Sequence, residues 1–258
     1  MNLGRFFEFR EAADEAKPFL DHIEDLRALL IKIAIAIGSA MTLSFAFRSQ
    51  LAGIIQRPLA SVSPERAANL QSLGVADSFT ISLEMSFYSG FVLAFPFILY
   101  FLAEFILPAL NDKEKRVLLP AALLGFGLFL VGVAFCYFVV LPQALGFFFR
   151  DAQSMNWQPM WTVREYFSFV TQLTIAFGLA FELPLVVLVL VKLGILDRAT
   201  LKRSRGFAVI VIFVVAAIVT PTTDILTLLF LGGPMLILYE ACIAIAWLME
   251  RKEKRHRE

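Results

Sequence analysis

REYFSFVTQLTIAFGLAFELPLVVLVLV, residues Arg164 to Val191, decides the fold. After Glu165 the run carries no charge except Glu182, and it exceeds the roughly 18 residues that a helix needs to cross about 30 Å of hydrocarbon. A core helix of a soluble protein is shorter and striped with polar residues. Apolar stretches of the same kind run from about Leu26 to Phe47, Glu84 to Leu110, Val117 to Phe149 and Ile225 to Met249, with a shorter one from Gly206 to Thr220. Together they predict an all-α, polytopic membrane protein of six transmembrane helices. The composition agrees. Over 258 residues, 59% are hydrophobic and 17% charged, with a mean hydropathy of +0.76, which leaves too little polar surface to cover a fold in water.

The segments between these stretches set the orientation. Among the 23 Lys and Arg residues, Arg48, Arg57, Arg66, Arg150 and Arg164 fall on one set of alternating segments, and the rest fall on the other set or in the first two turns of the first span. Basic residues are retained on the cytoplasmic side, so both termini are expected inside, with residues 1–25 as a cytoplasmic segment and 250–258 as a cytoplasmic tail of a single transmembrane domain covering 1–258. The N-terminal segment lacks the apolar core of a secretory signal. The polar segment from Arg48 to about Leu83, containing Pro58, Pro64 and Gly74, reads as the longest extramembrane loop. Trp157 and Trp161 suit an interfacial belt at the same face. The fifth stretch is about 15 residues, or roughly 22 Å, and falls short of the hydrocarbon thickness.

Several chemistries are excluded by what the chain contains. Cys136 and Cys242 lie inside apolar stretches, and His22 and His256 lie near opposite ends, so no metal site or nucleophilic triad can be assembled from them by spacing. There is no phosphate-binding loop. The formal charge of +1 gives no footprint for nucleic acid. The reading is a protein that is not an enzyme and takes no metal or cofactor.

Glu182 is the exception inside the membrane. It stands about ten residues from Lys192, roughly 15 Å along a helix, and a carboxylate at that depth costs several kcal/mol unless it faces protein or water. Pro184 cannot donate to the carbonyl of Ala180, so a bare acceptor and a carboxyl group share one stretch of helix. The bland alternative is a neutral glutamic acid hydrogen-bonded within the bundle. Elsewhere the local reading is unremarkable. Glu114, within LNDKEKR, looks like a solvated loop acid, Asp25 and Arg27 can pair or snorkel at the headgroups, and Glu104 and Glu240 are near enough to helix ends to be solvated.

Five stretches taken together resemble the TatC family, the multispan core of the twin-arginine protein translocase. HIEDLRALL at His22 to Leu30 is similar to the family's H-L-x-E-L-R-x-R-L, and FILPALNDKEKR at Phe105 to Arg116 to its F-x-x-P-x-L-x-x-x-E-[KR]-R. AFCYFVVLP at Ala134 to Pro142, AFGLAFELP at Ala176 to Pro184, and TPTTD with GGPMLILYE follow in the family's order. The resemblance implies a concave bundle with short fifth and sixth helices in the bacterial cytoplasmic membrane. It implies a receptor for twin-arginine signal peptides of folded precursors, at a patch of Glu114, Asp25, Arg27, Phe105 and Leu110. A carboxylate accepts from a planar guanidinium in a bidentate pair that lysine cannot reproduce. Glu182 and Pro184 would form a contact for TatA- and TatB-type single-span partners, and Pro58, Pro108 and Asp224 would be structural. Translocation would draw on the proton-motive force, within a complex that holds several copies of the chain among membrane lipid. Two departures stand out. Asp25 replaces the family's usual Glu, and TPTTD has one residue more than T-P-P-D.

Two other classes of function compete with this one. A proton-coupled solute transporter would use Glu182 as its relay, and would need a polar path on both sides of it. A passive scaffold would bind partner helices and ignore the signal.

Overall fold

The structure is a computed structural model and describes residues 19–109, 112–157, 160–192, 196, 198–219 and 225–257. The N-terminal segment 1–18, Leu110 and Asp224 therefore lie outside the described residues. Among the described residues all regular structure is helical apart from one isolated bridge. The first span is α1 (Phe19–Ala46), and the second is α4 (Asp77–Ile106), continued by a 3₁₀ turn at Leu107–Ala109. Between them lie α2 (Arg48–Val62) and α3 (Pro64–Ala68). The polar segment read as a loop to Leu83 is thus largely helical, and the second span starts at Asp77 rather than Glu84. The cause is local hydrogen bonding. Asp77 Oδ2 accepts from the backbone N–H of Gly74 at 2.6 Å. The Ser82 and Ser86 hydroxyls donate to the carbonyls of Ser78 and Ser82 at 2.6 Å each, which satisfies polar groups inside the helix itself.

Pro58 ties the second of these helices to the bundle. Lacking an N–H, it leaves the carbonyl of Ile54 without its helical donor. The hydroxyl of Tyr137 takes that place at 2.7 Å, and the buried hydroxyl of Tyr166 donates to the next carbonyl, Ile55, also at 2.7 Å. The gap is filled from the third span, and the fourth span holds the neighbouring carbonyl.

The third span comprises α5 (Asp112–Phe135), a π-helical turn at Cys136–Val140 and α6 (Leu141–Ser154). Its apolar part extends over Pro120–Ser154, beyond the expected end at Phe149. The fourth begins with a capping box, in which the Thr162 hydroxyl accepts from the Glu165 N–H at 3.1 Å and the Glu165 carboxylate accepts from the Thr162 N–H at 3.4 Å. It runs as α7 (Val163–Ala180), breaks at Phe181 and Glu182, and resumes as α8 (Leu183–Lys192). Pro184 accounts for that break. After α9 (Arg198–Arg203) come α10 (Arg205–Val219) and α11 (Ile225–Arg257).

Five helices among the described residues are long and apolar enough to cross a membrane; α10 is shorter. The short fifth stretch is as expected. The sixth is not short: its apolar part, Thr227–Leu248, has 22 residues, because α11 runs unbroken from Ile225 and accommodates Pro234.

Small residues set the closest contacts. A Cβ on Gly90 of α4 would come within 2.6 Å of the Met41 backbone nitrogen, so α1 lies directly on α4. Gly132 of α5 faces the Phe177 carbonyl oxygen of α7 in the same way, at 2.6 Å. Phe95 and Phe129 stack at 3.7 Å between centroids, joining α4 to α5. At the end where α4 and α7 begin, the Gln71 N–H donates to the Trp161 carbonyl and the Val163 N–H to the Gln71 carbonyl. Trp157 is two-thirds exposed beside this bridge.

Candidate functional site

The start of α1 and the end of α4 form a cavity of about 230 Å³. Asp25, Leu29 and Lys32 line it from α1, Phe101, Glu104 and Phe105 from α4, and Pro108 from the 3₁₀ turn. Two motifs some eighty residues apart in sequence thereby share one wall. Of the expected patch, Asp25 and Phe105 line this cavity together, beside Pro108, which the resemblance gives as structural. Arg27 is not among the lining residues and is exposed on α1. Residues two apart on a helix do not share a face, so Arg27 cannot follow Asp25 into the cavity. Glu114 falls in the first turn of α5, its side chain outside the described residues.

Two residues at the cavity carry an interaction that sequence reasoning missed. Lys32 Nζ donates to both carboxylate oxygens of Glu104, at 2.9 and 3.0 Å, and lies 5.8 Å from the centroid of the Phe101 ring. The signal was available as one opposite charge near the same end of each adjacent span.

Glu182 occupies the break between α7 and α8, where its N–H still donates to Leu179 and its carbonyl accepts from Val186. Its Oε1 is buried with no hydrogen-bond partner among the described residues. Oε2 faces α5, 3.0 Å from where a Cβ on Gly125 would stand. The acid is therefore turned into the bundle beside a glycine that makes room for it.

A second groove, of about 530 Å³, runs between α4, α7, α8, α10 and α11. Leu179, Leu183, Val215, Leu231 and Met235 make it apolar, but Tyr88 and Gln172 also line it. Gln172 Nε2 donates to Ser168 Oγ at 2.9 Å, and Ser168 Oγ donates to Glu84 Oε1 at 2.6 Å. This chain of polar side chains was not anticipated. Its sequence signal is a pair of facing four-residue spacings, Glu84 with Tyr88 and Ser168 with Gln172, inside otherwise apolar spans. Glu182 itself does not line the groove.

A helical bundle with, among its described residues, five apolar helices long enough to cross a membrane, an ion-paired cavity at one end and an acid at a helix break defines the class of multi-span helical membrane proteins. The family described as TatC, Sec-independent protein translocase protein, matches residues 21–234. The chain belongs to the TatC family. A Sec-independent protein translocase protein TatC of Akkermansia muciniphila is 45% identical over 177 residues, covering 69% of this chain; the chain spans about half the length of that relative, 51%. The TatC of Aquifex aeolicus is 36% identical, with 92% of this chain and 98% of the relative covered. That of Desulforapulum autotrophicum is 33% identical, with 95% and 90% covered. The fold superposes on a crystal structure of the twin-arginine translocase receptor TatC with a TM-score of 0.79 at 36% identity, over 88% of this chain and 98% of that one. The role is protein transport by a multi-pass membrane protein.

Proposed function

We propose that this chain is the signal-peptide receptor and assembly core of a twin-arginine translocase that exports folded proteins across the cytoplasmic membrane with the proton-motive force. The observation that carries the reading is the cavity in which Asp25, Phe105 and Pro108 meet. It joins the two sequence patterns tied to signal recognition and lies at the end of the bundle where α4 finishes, next in sequence to the basic start of α5. Glu114, in the first turn of α5, and, by the resemblance, Arg27 and Leu110 would belong to the same recognition patch. The alternation of basic segments supports both termini lying in the cytoplasm. Several copies of the chain would work within one complex.

In the same reading, Glu182 is the contact for TatA- and TatB-type single-span partners, next to Pro184. Its unsatisfied oxygen supports this, because a partner's polar group would relieve a cost that the bundle leaves standing. Solute transport by the chain alone is the weaker reading: the large groove beside α7 and α8 is mainly apolar.

The test is crosslinking of a twin-arginine signal peptide to Glu114→Gln and Glu114→Ala variants in membranes, together with export of a reporter carrying an RR or a KK signal. Loss of crosslinking in both variants, with the protein still inserted, and loss of export with KK are expected. Export that ignores the RR pair would overturn the receptor assignment.

A further inference from the structure

Lys32 sits in an environment suited to a guanidinium better than to itself. Both oxygens of Glu104 face it at 2.9 and 3.0 Å, and the Phe101 ring lies 5.8 Å from its nitrogen. A bidentate carboxylate beside an aromatic face favours the planar, forked, weakly hydrated arginine head over a compact ammonium. The pair is also easy to open. The side chains of Lys32 and Glu104 are 46% and 48% exposed, and exposed ion pairs of this kind contribute little to stability.

Resting on the receptor reading above, we propose that Lys32 is a resident competitor: it occupies the Glu104–Phe101 cradle in the free protein and is displaced by one arginine of the signal peptide. Asp25, two turns earlier on the same face of α1 and lining the same cavity, supplies a second carboxylate. The displaced lysine keeps its stem on α1 and carries its charge out to the headgroups. Exchange of lysine for arginine gains a planar bidentate pair. Exchange of lysine for another lysine gains nothing. A KK signal is therefore rejected partly because the cradle already holds its equivalent, and Glu104 and Lys32 become specificity-determining residues of the receptor.

The experiment uses the full chain in lipid nanodiscs and two fluorescent synthetic peptides, one with the RR pair and one with KK, titrated at fixed salt. Glu104→Gln is expected to weaken RR binding about tenfold, the scale of one lost charge-assisted contact, and to leave KK binding unchanged. Lys32→Gln is expected to strengthen binding of both peptides, KK more than RR, so that the ratio between them narrows. The double variant should behave as Glu104→Gln alone. RR binding unchanged in Glu104→Gln, or Lys32→Gln weakening RR binding as Glu104→Gln does, would overturn the proposal and leave the pair as a clasp between α1 and α4. Where Glu104→Gln lowers the yield of folded protein, Lys32→Gln decides alone, through the RR to KK ratio. A wild-type chain that binds RR and KK alike would instead refute the receptor reading itself.

Discussion

Gly125 on α5 makes room for the carboxylate of Glu182 on the broken fourth span: a Cβ there would lie 3.0 Å from Oε2 and 2.7 Å from Leu185 Cδ2. Both obstacles are the ends of flexible side chains. At Gly132 the obstacle is the Phe177 carbonyl at 2.6 Å, and at Gly90 the Met41 backbone. Gly132→Ala and Gly90→Ala are therefore expected to destabilise the fold by about 1–3 kcal/mol, whereas Gly125→Ala costs less. Thermal unfolding of the three variants in one detergent checks the order. Equal losses at all three would show that helix separation here is not set by these glycines.

Glu182 is expected to lower the stability of the isolated chain. Its Oε1 is buried without a partner among the described residues, and an unsatisfied buried polar group costs about 1–3 kcal/mol. Glu182→Leu should raise the unfolding temperature of the purified protein while reducing recovery of single-span partners from membranes. If Glu182→Leu is destabilising and still recovers partners normally, the acid is a bundle contact and not a recruiting one.

Tyr137 and Pro58 should be coupled. Tyr137→Phe removes the donor to the Ile54 carbonyl and should cost about 1 kcal/mol. In a Pro58→Ala background the restored N–H can reach that carbonyl, and the same change should cost little. A double-mutant cycle by chemical denaturation reads this coupling directly. Additive effects would mean the tyrosine hydroxyl does not act as the proline's substitute.

The shortness of α10 offers a test of membrane thinning. Its 15 residues span roughly 22 Å, below the hydrocarbon thickness of about 30 Å. Insertion of seven apolar residues after Val215 adds two turns, or roughly 10 Å, and returns the helix to nearly the same face. Reporter export is expected to fall at least several-fold with signal-peptide binding unchanged. Normal export with the longer helix would refute a role for the short span.

Much of the fold was legible because hydrocarbon imposes a single demand on a long chain segment. Backbone polar groups must be satisfied within the segment, so apolar runs such as Arg164–Val191 announce helices before any contact is known. Pro184 likewise marked the Ala180 carbonyl beside Glu182 as lacking its donor, but the break into two helices showed only in the structure. The start of α4 was not legible, since Ser78 and Ser82 look like loop residues until the Ser82 hydroxyl is seen bonded to the Ser78 carbonyl within the helix. The helices between α1 and α4 were missed for a related reason. The Ile54 and Ile55 carbonyls depend on tyrosines from the third and fourth spans.

The candidate site divides in the same way. Residue type and depth picked out Glu182 as costly where it stands, whereas Asp25, Phe105 and Pro108 came only through the resemblance to the TatC family. The sequence could not tell that Asp25 faces the cavity while Arg27 turns away, that Glu182 points at Gly125, or that Glu84 reaches Ser168 and Gln172. Those relationships are made across helices whose partners are distant along the chain, and they depend on rotation about each helix axis, which interhelical packing fixes. Local hydrophobicity and helix-breaking residues determined the elements. Only the tertiary structure brought Lys32 to Glu104, because a pair spanning α1 and α4 has no spacing that a reader of one helix can recognise.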